Sequence, residues 1–80
     1  MKLVGKVTHF YPKISVAVVE VLDDIAVGDE ILIKGKTTNF TQKIESMQIE
    51  HEQIKSAKKG ESIGLKVLER VREGDEIFKL

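Results

Sequence analysis

The sequence predicts an all-β fold, a small closed six-stranded β-barrel of the type found in translation proteins, and three observations lead there. Val, Ile and Leu recur in short runs and dominate the apolar residues, with Phe10, Tyr11, Phe40 and Phe78 as the aromatics. Turn signals interrupt these runs at close intervals. A Gly-acid-polar-Ile pattern occurs three times, as Gly28-Asp29-Glu30-Ile31, Gly60-Glu61-Ser62-Ile63 and Gly74-Asp75-Glu76-Ile77. In each, glycine can supply a positive φ, the acid can accept from nearby backbone donors, and isoleucine starts a buried strand. Closure follows from size, because a short chain with many strands removes its unpaired edges best by curling on itself.

The elements follow in order. Leu3 to Tyr11 reads as a strand, with Gly5 marking a bulge or a close backbone approach. Pro12 makes the turn after it, since its ring fixes φ and removes a donor. Ile14 to Leu22 is almost wholly β-branched; Ala17, Val19 and Val21 are assigned inward because the opposite choice buries Glu20. Asp23-Asp24 opens a loop that Val27-Gly28-Asp29 closes. Glu30 to Gly35 alternates, placing Ile31 and Ile33 on one face. After the polar loop Lys36 to Asn39, a strand runs from Phe40 to Glu50. Its apolar phase changes between Ile44 and Met47, which predicts a bulge near Glu45-Ser46. His51 to Lys59 is the least strand-like segment and has room for at most one helical turn. Ser62 to Glu69 turns Ile63, Leu65 and Val67 inward, and Glu76 to Leu80 forms the last strand.

Eighty residues, 1–80, fit one domain. The absence of cysteine removes disulfides and thiolate metal sites. No basic region followed by an apolar run opens the sequence, and no apolar stretch approaches the roughly 18 residues of a membrane span. The expectation is a cytoplasmic protein without membrane contact. Thirteen basic and thirteen acidic residues cancel, which argues against a broad charge-driven grip on nucleic acid but leaves local patches open.

Gly35-Lys36-Thr37-Thr38 has the ending of a phosphate loop, but Glu30 stands where the first glycine belongs and a strand follows instead of a helix. No nucleotide is expected. His9 and His51 lack metal-ligand spacing and a third ligand. Ser46, Ser56 and Ser62 have no base or oxyanion donors placed beside them by the sequence. No catalytic residue, metal or cofactor is therefore assigned. Two polar sets remain for partner binding: Lys55, Lys58, Lys59 and Lys66 with Arg70 and Arg72, and Lys34, Lys36, Thr37, Thr38, Asn39 with Lys43. As solvated faces they balance Glu52, Glu61, Glu69 and Glu73.

Val4-Gly5-Lys6-Val7, Val27-Gly28-Asp29-Glu30-Ile31, Ser46-Met47-Gln48 and the run Ala57 to Val67 with Gly60-Glu61-Ser62-Ile63-Gly64 resemble the second domain of translational GTPases. The relatives so indicated are elongation factor Tu and its archaeal and eukaryotic counterpart, and the resemblance extends over about Leu3 to Leu80. It implies a β-barrel that helps hold the aminoacyl acceptor end of tRNA, with the segment Gln48, Ile49, Glu50 and His51 at the contact. The GTPase domain has no counterpart in the sequence. On this resemblance the chain is a non-catalytic module binding tRNA or a ribosomal RNA–protein complex through Gln48, Glu50, His51, Lys55, Lys58 and Lys59. Similar small barrels also form C-terminal appendages of the collagenase-like U32 peptidases. Together with the neutral charge and the glutamine at position 48, this gives the alternative of a protein–protein docking barrel.

Overall fold

A computed structural model describes residues 1–80. Ten strands follow one another without a helix: β1 (Lys2–Tyr11), β2 (Val16–Val21), β3 (Ile25–Ala26), β4 (Glu30–Lys34), β5 (Asn39–Lys43), β6 (Met47–Ile49), β7 (Glu52–Ile54), β8 (Ser56–Ala57), β9 (Ser62–Lys66) and β10 (Glu76–Lys79). Eight of them form one curled antiparallel sheet in the order β5-β4-β10-β1-β2-β9-β6-β7, and β3 pairs with β8 in a separate ribbon. The last strand lies in the middle of the sheet, between β4 and β1.

The all-β expectation holds, whereas the closed six-stranded barrel is corrected to an open, barrel-like sheet. Its end strands β5 and β7 do not pair with each other. Three segments account for the difference, the first being Ile25–Ala26, which forms β3 inside the stretch read as a loop. Phe40 to Glu50 is not one bulged strand, because the ladder stops at Ile44–Ser46 and restarts as β6. Ile44 and Met47 are both fully buried, so the change of phase is real and a corner produces it. His51 to Lys59, read as room for a helical turn, supplies β7 and β8 instead.

A side chain bridges part of the seam that the backbone leaves open. Gln42, on the edge strand β5 and 7% exposed, donates through Nε2 to the Lys66 carbonyl at 3.0 Å. Its Oε1 accepts from the Leu68 N–H at 2.8 Å. The amide thus satisfies one donor and one acceptor of the chain leaving β9.

Sixteen buried apolar residues fill the interior, among them Ala17, Val19, Val21, Ile31, Ile33, Ile63, Leu65 and Val67, all on the faces that the alternation indicates. Gly5 sits at a register shift in the β1–β10 ladder. A Cβ there comes within 2.7 Å of Val19 Cγ1, so both reasons for a glycine apply.

The repeated Gly-acid pattern builds the same joint three times. Gly28, Gly60 and Gly74 have φ of 100°, 96° and 91°. The following acid's N–H donates to the carbonyl three residues earlier at 3.1 Å, and its carboxylate accepts that same residue's N–H, pairing Asp29 with Ala26, Glu61 with Lys58 and Asp75 with Arg72. Each turn then clasps one buried residue elsewhere. The Ile44 carbonyl accepts from Gly28 N–H and Ile44 N–H donates to the Asp29 carbonyl; Val21 does the same with Gly60 and Glu61, and Val7 with Gly74 and Asp75.

Lys2 and Asp23 form a 2.9 Å ion pair at the end of the sheet where the chain termini lie. The hydrogen bond to Asp23 and its charge raise the Lys2 ammonium above its ordinary value, and the same hydrogen bond from Lys2 lowers the Asp23 carboxyl. The Asp23 contribution is therefore present above the ordinary carboxylate range and lost as pH falls through its lowered value. No helix is long and apolar enough to cross a membrane.

Candidate functional site, a groove on the outer face

The outward faces of β1, β2, β9, β6 and β7 form a readable grid. His9, Val18, Gly64, Gln48 and Gln53 stand in one row across five strands, and Tyr11, Val16 and Lys66 stand in the next. Gly64 has no side chain to raise the middle of its row. A Cβ there meets Val16 Cγ1 at 3.2 Å and Gln48 Cγ at 3.3 Å, so the neighbours already use the space above it.

The result is a groove of ≈ 350 Å³ lined by Tyr11, Ile14, Val16, Val18, Gln48, Glu50, His51 and Gly64. A second depression shares Ile14, Val16, Gln48 and Gly64 and extends to Ser46, Gln53 and Lys66. Tyr11 and Ile14 are 49% and 55% exposed, so the groove presents apolar surface to solvent. Scattered apolar residues on a surface are ordinary; an apolar trough with a few polar groups on its rim is the usual form of a binding site.

Both rims are conformationally defined. On one side Ser15 adopts φ 55°, and the loop is held by Val67 N–H to the Ser15 carbonyl at 3.0 Å and Lys66 Nζ to the Ile14 carbonyl at 2.8 Å. On the other side Glu50 and His51 join β6 to β7 with φ of 49° and 67°. A two-residue hairpin with both positions left-handed favours Asn-Gly, because a Cβ crowds the backbone there. Glu50→Asn with His51→Gly is expected to raise the unfolding free energy by about 1–2 kcal/mol. Urea denaturation checks this, and an unchanged midpoint refutes the strain.

The structure divides the contact set inferred from sequence. Gln48, Glu50 and His51 meet at the groove. Lys55, Lys58 and Lys59 lie elsewhere, on the chain around β8: the Lys55 carbonyl accepts from Val27, and Lys58 lines a separate depression with Asp24, Asp29 and Lys79. Lys79 there pairs with Asp29 at 3.3 Å, so this second hollow carries both signs of charge. Tyr11, Ile14, Val16, Val18 and Gly64 were missed. Their signal was a strand β-branched on both faces, beside a strand whose outward position is glycine.

The remaining candidates lie apart from one another. Gly35 N–H donates to the Thr38 carbonyl at 2.8 Å in the turn between β4 and β5, without a helix after it. His9 lies 3.6 Å from Glu73 and edge-on to Tyr11, with ring centroids 4.4 Å apart. Ser46 Oγ donates to Gln53 Oε1. No three His, Cys, Asp or Glu side chains are grouped to hold a metal ion.

No family model matches the chain. An uncharacterized protease of Methanocaldococcus jannaschii is 47% identical over 78 residues, which are 96% of this chain and 19% of the relative. A collagenase of Porphyromonas gingivalis is 35% identical over 78 residues, 95% of this chain and 22% of that protein. The chain thus spans about a fifth of the length of the curated relatives it matches. Among solved structures, the C-terminal domain of a Geobacillus thermoleovorans putative U32 peptidase superposes with a TM-score of 0.94 at 24% identity, covering 99% of this chain and all of that one. A second crystal structure of that domain gives 0.92.

These likenesses overturn the elongation-factor assignment, and with it the translational, RNA-binding reading. The physical reason is visible in the joints. The Gly-acid-polar-Ile motif that carried much of the resemblance occurs three times within this chain, each time making the same turn. It therefore marks a way of entering a strand and identifies no ligand. The fold of this chain is that of the C-terminal domain of the Geobacillus putative U32 peptidase.

Proposed function

We propose that the chain is a non-catalytic docking domain of a peptidase-type protein, and that its groove receives an extended, apolar segment of polypeptide. The observation that carries the reading is the glycine-floored trough between Tyr11, Val16, Val18 and Gln48, whose two rims are held by defined loops. Relatives named protease and collagenase support a polypeptide as the occupant. The Tyr11 ring and the two valines offer apolar contact, while the Gln48 amide and the His51 ring can bond the free backbone groups of an extended chain. Glu50 on the rim favours a basic residue beside the apolar one. Catalysis has no place in this reading, because the groove contains no nucleophile activated by a neighbouring base.

Titration of the isotope-labelled chain with denatured collagen tests it. Amide resonances of Tyr11, Val18, Gln48 and Gly64 are expected to shift, and Tyr11→Ser with Val18→Ser is expected to weaken binding at least tenfold while circular dichroism stays unchanged. Shifts confined to other faces, or peptide hydrolysis by the chain alone, overturn the proposal.

A further inference from the structure

The opposite half of the sheet carries a second apolar feature. Leu3 pairs with Phe78, Phe78 with Leu32 and Leu32 with Thr41, so Leu3, Phe78 and Leu32 form one continuous row across β1, β10 and β4. The row faces outward. Ile31, Ile33 and Ile77, which flank it along the strands, are buried on the inner side, while Leu32 and Phe78 keep partial exposure outside the core cluster. Leu3 is 38% exposed, and Leu80 and Met1 beside it are 57% and 79% exposed.

Charged rows border this stripe. Lys6, Glu76 and Lys34 are in register on one side, and Glu30 with Lys43 on the other. An apolar centre with a mixed-charge rim is the anatomy of a protein interface. Lys2 pairs with Lys79, which brings both chain ends to this pole. Tyr11 and the groove lie toward the far end of β1, at most about 26 Å from Leu3 at the usual rise per residue.

We propose that the Leu3–Phe78–Leu32 stripe seats the larger polypeptide body that makes up the other four fifths of relatives such as the Methanocaldococcus jannaschii protease. The length relation supplies the argument, since the segment matched here is 19% of that relative and a body about four times as large accompanies it. Any connection through Met1 or Leu80 leaves beside the stripe. A three-strand stripe is too small for tight association on its own. A short tether raises the body's effective concentration to the order of millimolar, which is enough to keep such a contact occupied. The groove at the far pole stays open. This assignment concerns a different face from the docking groove and stands or falls separately.

The test titrates the labelled chain with the Methanocaldococcus relative from which the matching segment has been deleted. The Geobacillus domain has this fold in a structure without its parent protein, so the chain is expected to fold alone. Resonances of Leu3, Leu32 and Phe78 are expected to shift, and Leu32→Ser with Phe78→Ser to weaken binding at least tenfold. The same variant keeps its affinity for denatured collagen, which separates this face from the groove. Should the deleted relative not fold, a chimera carrying this chain in place of its own segment is compared with the free chain by hydrogen exchange. Slower exchange in β4 and β10 of the chimera supports the proposal. Unchanged exchange, equal binding by the variant, or a dimer of the free chain that the variant abolishes overturns it.

Discussion

Gln42→Leu is expected to cost about 2–4 kcal/mol of stability, because it strands the Leu68 N–H and the Lys66 carbonyl at a partly buried seam. For a domain of this size that corresponds to a fall in melting temperature of roughly 10–20 °C. Leucine keeps the volume of the side chain, so the loss is one of hydrogen bonding and not of packing. Gln42→Glu sharpens the test. A carboxylate can still accept from Leu68 but cannot donate to Lys66, whereas a protonated carboxyl can do both. The deficit of Gln42→Glu is thus expected to narrow on acidification, while that of Gln42→Leu is not. Thermal melts of the two variants across the acidic range decide the matter; parallel pH profiles would remove Gln42 from its role as a latch.

Gly35→Ala is expected to destabilise by a similar amount, about 2–4 kcal/mol, for a different reason. A Cβ at Gly35 lies 1.8 Å from Asp75 Oδ1, well inside contact distance. Asp75 cannot simply swing aside. It is 4% exposed, and its other oxygen accepts from the Arg72 N–H at 2.9 Å in the third of the repeated joints. Relief of the clash therefore requires breaking that cap or moving the β4–β5 turn. A double-mutant cycle with Asp75→Ala isolates the collision: the second substitution removes the obstructing carboxylate, so the combined loss is expected to fall well below the sum of the two single losses. Additive losses in urea denaturation contradict the geometry.

Legibility in the sequence followed locality. The faces of β4 and β9 were readable because their buried apolar residues alternate, and that of β2, β-branched on both sides, because only one phase leaves Glu20 outside. The three joints were readable because glycine at positive φ and a capping acid are decisions made within four residues. The openness of the sheet was not, since it depends on whether β5 and β7 meet, and those edges are brought near each other only by the whole fold. Gln42 shows the same limit: a glutamine among Thr41 and Lys43 reads as solvated until the chain around Lys66 is folded against it. At the groove, Gln48, Glu50 and His51 were selected through a family likeness that the comparisons overturned, and the fold places all three along its lining. Lys55, Lys58 and Lys59 are not among its lining residues, because the chain after β7 runs on to pair as β8 with β3.

The placement of β10 has a consequence for how the molecule comes into being. A chain emerging from its amino end completes every other strand before the piece that must lie between the first and the fourth is synthesised. Until then β4 and β5 on one side, and β1 with the strands beyond it on the other, lack the strand whose two ladders join them. Truncation before Glu76 should therefore leave an unfolded, protease-sensitive product and not a slightly weakened one. The strand Glu76–Lys79 acts as a keystone, and the sheet becomes continuous only once that strand is in place.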